Sequence, residues 1–309
     1  MNLKISMTTH PFTRRRALQL GLAAAAGAFV LGRSAGAANA TPNRSGLTFR
    51  CHTAGEAAAQ SNSWLVSGDR EAFLFDVVQM RHEAEAVVDM IRSGGKALRF
   101  IWISHAHPDH FLGLDVVIEA FPEVPVYSTP EVVAAIAAAG PTLVSILGQR
   151  WGADGPRRLV VPQAWQEPSL SLEGERIDVR TFAAAESRHL AGLYCPGTRQ
   201  MLTADIVYDR THLFLREKNL EGWLGELERF ERFAEQSADV LYPGHGRPGG
   251  AELITGTRRY LEAFKAALAL GNAGAVRDAM LRRFPGHAMP RLLLDYTLPA
   301  FFPDTAPTH

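Results

Sequence analysis

The apolar run Ile101-Trp102-Ile103 ends at Ser104 and gives way at once to His105-Ala106-His107-Pro108-Asp109-His110. The run reads as the end of a buried strand. The segment after it cannot enter a core, because three imidazoles and a carboxylate within six positions would leave several buried polar groups without partners. A divalent cation resolves the conflict. In an extended segment His105 and His107, two positions apart, project to one side. Pro108 then turns the chain, so that Asp109 and His110 point to a second position. Neutral imidazole and carboxylate are ligands that zinc favours. Iron and manganese accept the same set, so the ligands do not by themselves fix the metal.

A second signature lies in Asp239-Val240-Leu241-Tyr242-Pro243-Gly244-His245-Gly246, a short apolar strand closed by Pro-Gly-His-Gly. Its glycines permit the backbone turn that aims His245 inward. Between the two, Met201-Leu202-Thr203-Ala204 is a short strand stopped by Asp205.

His105 to His110 carries the His-x-His-x-Asp-His hallmark of the metallo-β-lactamase fold superfamily, and Pro243 to Gly246 resembles that superfamily's last metal-binding loop. The resemblance spans nearly all of the chain after residue 40. It implies an α/β fold of the four-layer αββα sandwich type and a cofactor of two divalent metal ions, zinc first, with iron or manganese as alternatives. It places His105 and His107 on the first metal, Asp109, His110 and His245 on the second, and Asp205 between them, where the family carries glycine rather than Ala204 before the bridge. Asp76 matches the aspartate that braces the metal loop, though Val77-Val78 replaces the threonine and glycine that usually come after it. The third ligand of the first metal departs from the pattern. His189 is the first candidate, but it lies closer to Asp205 than is usual, and Glu186, three residues earlier, fits the spacing better. His212 is expected to line the pocket and hydrogen-bond a substrate carbonyl or carboxylate; an ordinary loop histidine is the competing reading.

The reaction implied is hydrolysis by a metal-bridging hydroxide, with Asp109 guiding the proton to the leaving group. A bridging Asp205 is similar to that of glyoxalase II and the metal lactonases, which puts an ester, thioester or lactone-like small molecule ahead of a β-lactam, and a sulfate ester further back. A different class remains: an exported metal- or ligand-binding protein that kept the fold without catalysis.

Residues 1–40 hold five of the 32 basic residues and none of the 32 acidic ones. Thr13-Arg14-Arg15-Arg16-Ala17-Leu18 resembles a twin-arginine export signal. The apolar stretch Ala17 to Leu31 is short for a membrane span of about 20 residues, and Ala38-Asn39-Ala40 offers small residues for cleavage. The expected organisation is a signal peptide over 1–40 and a hydrolase domain over 41–309, with 272–309 a C-terminal extension that covers the core or pairs subunits. This implies a periplasmic or secreted protein without stable membrane insertion. The remainder is net acidic and has no basic tract, which argues against a nucleic-acid partner. Cys51 and Cys195 are too few for a disulfide framework, although export would allow them to pair. The oligomeric state is not encoded legibly.

Periodicity places strands at 63–66 and 73–78 around a turn at 67–70, and a helix over 81–94. It adds strand 99–103, a helix over 113–121, strand 124–127 and a helix opened by Thr129 and Pro130. A further helical segment is expected over 141–151, with Leu143, Ile146, Leu147 and Trp151 overhanging the metal site or simply packing in the core. A strand-rich second half begins near 159, and amphipathic helices are expected over 217–237 and 251–270.

Overall fold

A computed structural model describes residues 46–303; the expected signal peptide, residues 1–40, lies outside them. The unit that contains the described residues is built on two sheets. The first runs in the order β1 (Thr48–Thr53), β2 (Asn62–Ser67), β3 (Glu71–Phe75), β4 (Ala97–Trp102), β5 (Val126–Ser128) and β6 (Gln163–Ala164). The second holds β7 (Ser169–Leu172), β8 (Glu175–Ala183), β9 (His189–Cys195), β10 (Gln200–Ala204) and β11 (Val240–Pro243), with β11 on one edge and β7 on the other. Helices α1 (Arg81–Gly94), α2 (Pro108–Phe111), α3 (Leu114–Ala120) and α4 (Pro130–Trp151) fall in the first half of the chain. Helices α5 (Leu220–Ser237), α6 (Ala251–Leu268), α7 (Ala273–Arg283) and α8 (Leu298–Phe301) lie in the second, with a π-helical turn at Leu292–Thr297.

Alternation along the central strands builds the layers. Trp64, Val66, Phe73, Phe75, Phe100 and Trp102 point into the space between the sheets, where Leu193 and Leu202 meet them. Their neighbours Leu65, Leu74, Ile101 and Ile103 point the other way, onto Val87 and Ile91 of α1 and Leu114 and Val117 of α3. A period of two therefore buries both faces of the first sheet. Trp223, Leu227 and Phe230 of α5 and Leu261 and Phe264 of α6 join the core on the side of the second sheet. The result is the expected αββα sandwich.

Strand direction matters most for function. β3 and β4 are parallel, as are β10 and β11. β8 is antiparallel to β9, which is antiparallel to β10, so β8 and β10 also run the same way. Parallel strands bring their C-terminal ends to one edge, the place where ligand-binding loops gather in open sheets. The segments after β3, β4, β8, β10 and β11 carry Asp76, the His105–His110 stretch, Glu186, Asp205 and His245.

The two helical segments expected on either side of Pro141 are one continuous helix, α4. Proline removes one hydrogen-bond donor there, and the face around it is exposed, so water can serve the freed carbonyl. By length and composition α4 is also apolar enough to cross a membrane. Cys51 is exposed on β1 and Cys195 is buried on β9; both are free thiols. In the C-terminal segment, Val276, Met280, Leu293 and Leu298 are buried in the main core, and Thr297 donates to Leu213 O and accepts from Leu215 N.

Candidate metal centre

Four histidines and three carboxylates converge at the shared strand edge. His105, His107 and Glu186 form one group whose ligand atoms could all reach a single ion; Asp109, His110 and His245 form a second. In the first, His107 Nδ1 lies 3.0 Å from Glu186 Oε1, and His105 Nε2 lies 3.6 Å from Glu186 Oε2. In the second, Asp109 Oδ2 stands 3.5 Å from His110 Nε2 and 3.4 Å from His245 Nε2. Asp205 sits between them, with Oδ2 3.3 Å from His245 Nε2, 3.6 Å from His110 Nε2 and 4.0 Å from His105 Nε2.

Outer partners fix the direction of every ring. Asp76 accepts from Ser104 N and Ser104 Oγ, each at 2.7 Å, and from His110 Nδ1 at 2.9 Å. Because Ser104 Oγ donates to Asp76, it accepts from His105 Nδ1 at 2.8 Å. His245 Nδ1 donates to the Ala59 carbonyl at 3.0 Å. In His105, His110 and His245 it is therefore Nε2 that faces the cluster. His107 is turned the other way: its Nε2 donates to Glu217 Oε1 at 3.1 Å, which leaves Nδ1 inward. Tyr208 donates to Asp205 Oδ2 at 2.6 Å and stacks on the His245 ring.

The backbone supports this arrangement at strained points. Asp76 and Ala204 take φ of 60° and 48°, the left-handed region that favours glycine. Asn62 at the start of β2 clamps the last loop, donating to Pro243 O at 3.0 Å and Gly246 O at 2.8 Å. Gly244 passes so close to the cluster that a Cβ there would collide with Asp205 Oδ1 and lie 2.9 Å from His110 Cε1. Gly244→Ala is therefore expected to weaken metal binding at least about tenfold, within the range found for disturbed outer shells, while the protein still folds. A metal titration checks this, and unchanged affinity would contradict it.

The residues fit a metal. His110 Nε2, both Glu186 carboxylate oxygens and Asp205 Oδ1 are buried without a hydrogen-bond partner. Native structures leave few such atoms, and a cluster of them calls for a bound group. Electrostatics carry the same message. Burial would lower His107 and His245, but Glu186 lifts His107 to about 10 and Asp205 lifts His245 to about 9. Burial also pushes Glu186 up to about 7 against the pull of His107. Burial, with His110 and His107 beside it, pushes His105 well below the ordinary imidazole range.

Of the two candidates for the first group, Glu186 joins it and His189 does not. β8 ends at Ala183, which pairs with His189 at the start of β9. The connecting turn is pinned by Ala184 N to Arg188 O and Ala185 N to Ser187 O, with Ala184 at φ 51°. That turn carries Glu186 to the cluster, while His189 stays in strand register at the wall of the neighbouring cavity. His212 is corrected more fully. It is buried, its ring is bonded to the Tyr260 hydroxyl at 2.8 Å, and it does not line the cavity beside the cluster. Burial and His287 lower it to about 4, so it is a neutral core histidine. Glu217 and Tyr208 had no sequence signal, since neither belongs to a motif.

The cluster opens into a cavity of about 750 Å³. His107, Asp109, Glu186, Asp205 and His245 line its floor, and α4 and the segment around Leu292 form its walls.

A family model described as the metallo-beta-lactamase superfamily matches residues 57–245. Among solved structures, a metallo-beta-lactamase from Pontibacter korlensis is 17% identical, with a TM-score of 0.53 over 65% of this chain and 87% of that one. The DIM-1 metallo-beta-lactamase, solved after exposure to ceftazidime, is also 17% identical, with a TM-score of 0.49 over 65% and 84% of the two chains. The likeness to the Pontibacter korlensis structure concerns the fold alone. No curated protein matches the sequence significantly.

Proposed function

The chain belongs to the metallo-beta-lactamase superfamily, and from that premise we propose that it is an exported, metal-dependent hydrolase of an ester, thioester or lactone-like small molecule. The observation that carries the reading is the pair of ligand groups joined by Asp205, with unpartnered buried atoms facing inward and a cavity above. His105, His107 and Glu186 would hold one divalent ion, and Asp109, His110 and His245 the other, with zinc the first choice. When bound, such ions would lower the pKa of a water to about 7 and polarise the bond under attack.

The chain's own groups supply the rest. Asp109 faces the cavity; burial opposes its ionisation, but His110 and His245 overcome this and hold its carboxyl below the usual range. It therefore stays ionised at neutral pH, and its place beside the cavity, not its basicity, makes it the group to guide a proton to the leaving oxygen or sulfur. Tyr208 keeps its proton, since burial and Asp205 raise its hydroxyl well above the ordinary value, and so it orients Asp205 as a donor. Glu217 holds the His107 ring in the tautomer that ligation needs.

The test is turnover of a panel of esters, thioesters, lactones and nitrocefin by metal-loaded and chelated protein. Metal-dependent turnover of the first three supports the reading. Turnover of nitrocefin alone replaces it with β-lactam hydrolysis, and firm metal binding with no turnover replaces it with a binding role. Export rests on the arginine-rich leader; a mature protein that still begins at Met1 would oppose it.

Metal loading should also release protons. In the metal-free centre His107 and His245, at about 10 and about 9, are charged at pH 7, and ligation requires them neutral. Both pKa values are raised, so the release is full below about pH 9 and fades as pH climbs through their range. Metal affinity should therefore rise with pH up to about 9 and level off above that. Calorimetric zinc titrations in buffers of different ionisation heat check this; an apparent enthalpy that ignores the buffer would contradict it.

A further inference from the structure

The hydrolase reading leaves unexplained why so much apolar surface faces the cavity beside the cluster. The reason lies in α4. Val132, Ile136 and Gly140 turn one face of this helix toward the protein and are buried. Ala135, Ala139, Leu143, Ile146 and Leu147 occupy an adjacent stripe at spacings of four, four, three and one, and all line the cavity. Ile146 is 55% exposed, among the most exposed large apolar residues described. At 1.5 Å per residue this stripe extends for about 18 Å. Across from it stand Phe214, Met289, Leu292 and Tyr296. Phe214 packs edge-on against the His107 ring with centroids 4.9 Å apart, and against Tyr296 at 5.9 Å. The apolar lining thus includes a ring, Phe214, that touches a residue of the cluster.

Resting on the hydrolase reading, we propose that this channel is the site for the apolar chain of an acyl ester or thioester whose carbonyl end lies at the cluster. A cavity of about 750 Å³ falls in the range that holds small-molecule ligands, and besides the apolar stripe and the cluster its lining includes the charged side chains of Arg150, Arg188, Arg216 and Arg291. A short acyl group would fill only its floor and leave both walls wet, and apolar surface left in that state marks a binding site. The reaction consumes one water: the acyl C–O or C–S bond breaks, the water oxygen joins the acyl carbon, and the proton goes to the departing alcohol or thiol. The products are a chain carboxylate, that alcohol or thiol, and the second proton of the water, released to solvent.

Chain recognition can be read without turnover. Linear alkanoates from butanoate to decanoate are titrated into the metal-loaded protein by calorimetry. Affinity is expected to rise about two- to fourfold per added methylene, as burial of each predicts. Ile146→Asp and Leu147→Asp should flatten this series with metal content unchanged, while Ser145→Asp, on the outer face of α4, should leave it steep. Ile146 is exposed enough that its variant tests the wall even if the Leu147 variant does not fold. A flat series in the parent protein overturns the channel, as does a steep series in the Ile146 variant. Flat binding alongside metal-dependent cleavage of short esters removes only the channel. Steep binding with no ester cleaved supports the channel and removes the hydrolytic reading instead.

Discussion

Asp205→Asn is expected to fold like the parent and to lose affinity at both metal positions together, by about a hundredfold or more. The loss should exceed the 10–100-fold typical of an outer-shell partner, because Asp205 is a carboxylate that reaches both groups. Its Oδ2 lies within 4.0 Å of imidazoles from each. Asparagine keeps the volume and can still accept from Tyr208, but it removes the negative charge that draws His110 and His245 inward. Turnover of any ester should fall with the metal. Competition with a chromophoric chelator reads both positions at once. Loss at one position with the other intact would show that Asp205 serves a single ion and bridges nothing.

The second large effect is a contrast between two residues three positions apart. Glu186→Ala should lower metal content from two ions per chain toward one, and cut turnover by about a hundredfold or more, comparable to losing a main electrostatic contributor to catalysis. His189→Ala should keep both ions. Glu186 has both carboxylate oxygens buried and unpartnered beside His105 and His107, whereas His189 stays on β9 at the cavity wall. Elemental analysis of the two purified variants is enough. Two ions in the Glu186 variant and one in the His189 variant would reverse the assignment.

The contrast shows what a one-dimensional reading can carry. The His105–His110 stretch is legible because its ligands lie within six residues, directly after an unmistakable strand, so local geometry alone aims them. Asp205 and His245 are legible because each ends a short apolar strand, and parallel strands deliver their ends to one edge. The layers arise from alternation in β2, β3 and β4, whose two faces are both apolar. Glu186 against His189 could not be settled by spacing, because the answer depends on where β8 stops pairing. Ala183 to His189 is the last pair, and a shift of register would exchange which residue the turn presents. His212 misled for a related reason. Its partner Tyr260 is on α6, far along the chain, so nothing near it in sequence announces that it is buried. Glu217 reaches His107 across the fold in the same way. Pro141 suggested a break in α4, since proline disfavours helix interiors; on an exposed face the lost hydrogen bond was tolerable.

The proposed hydrolase needs one pair of ions gripped by seven side chains. Anomalous scattering from crystals of the metal-loaded protein, collected on both sides of the metal's absorption edge, tests it most directly. Two peaks are expected, one among His105, His107 and Glu186 and one among Asp109, His110 and His245, with Asp205 touching both. A single peak, or a first ion held by His189 while Glu186 points elsewhere, would contradict it.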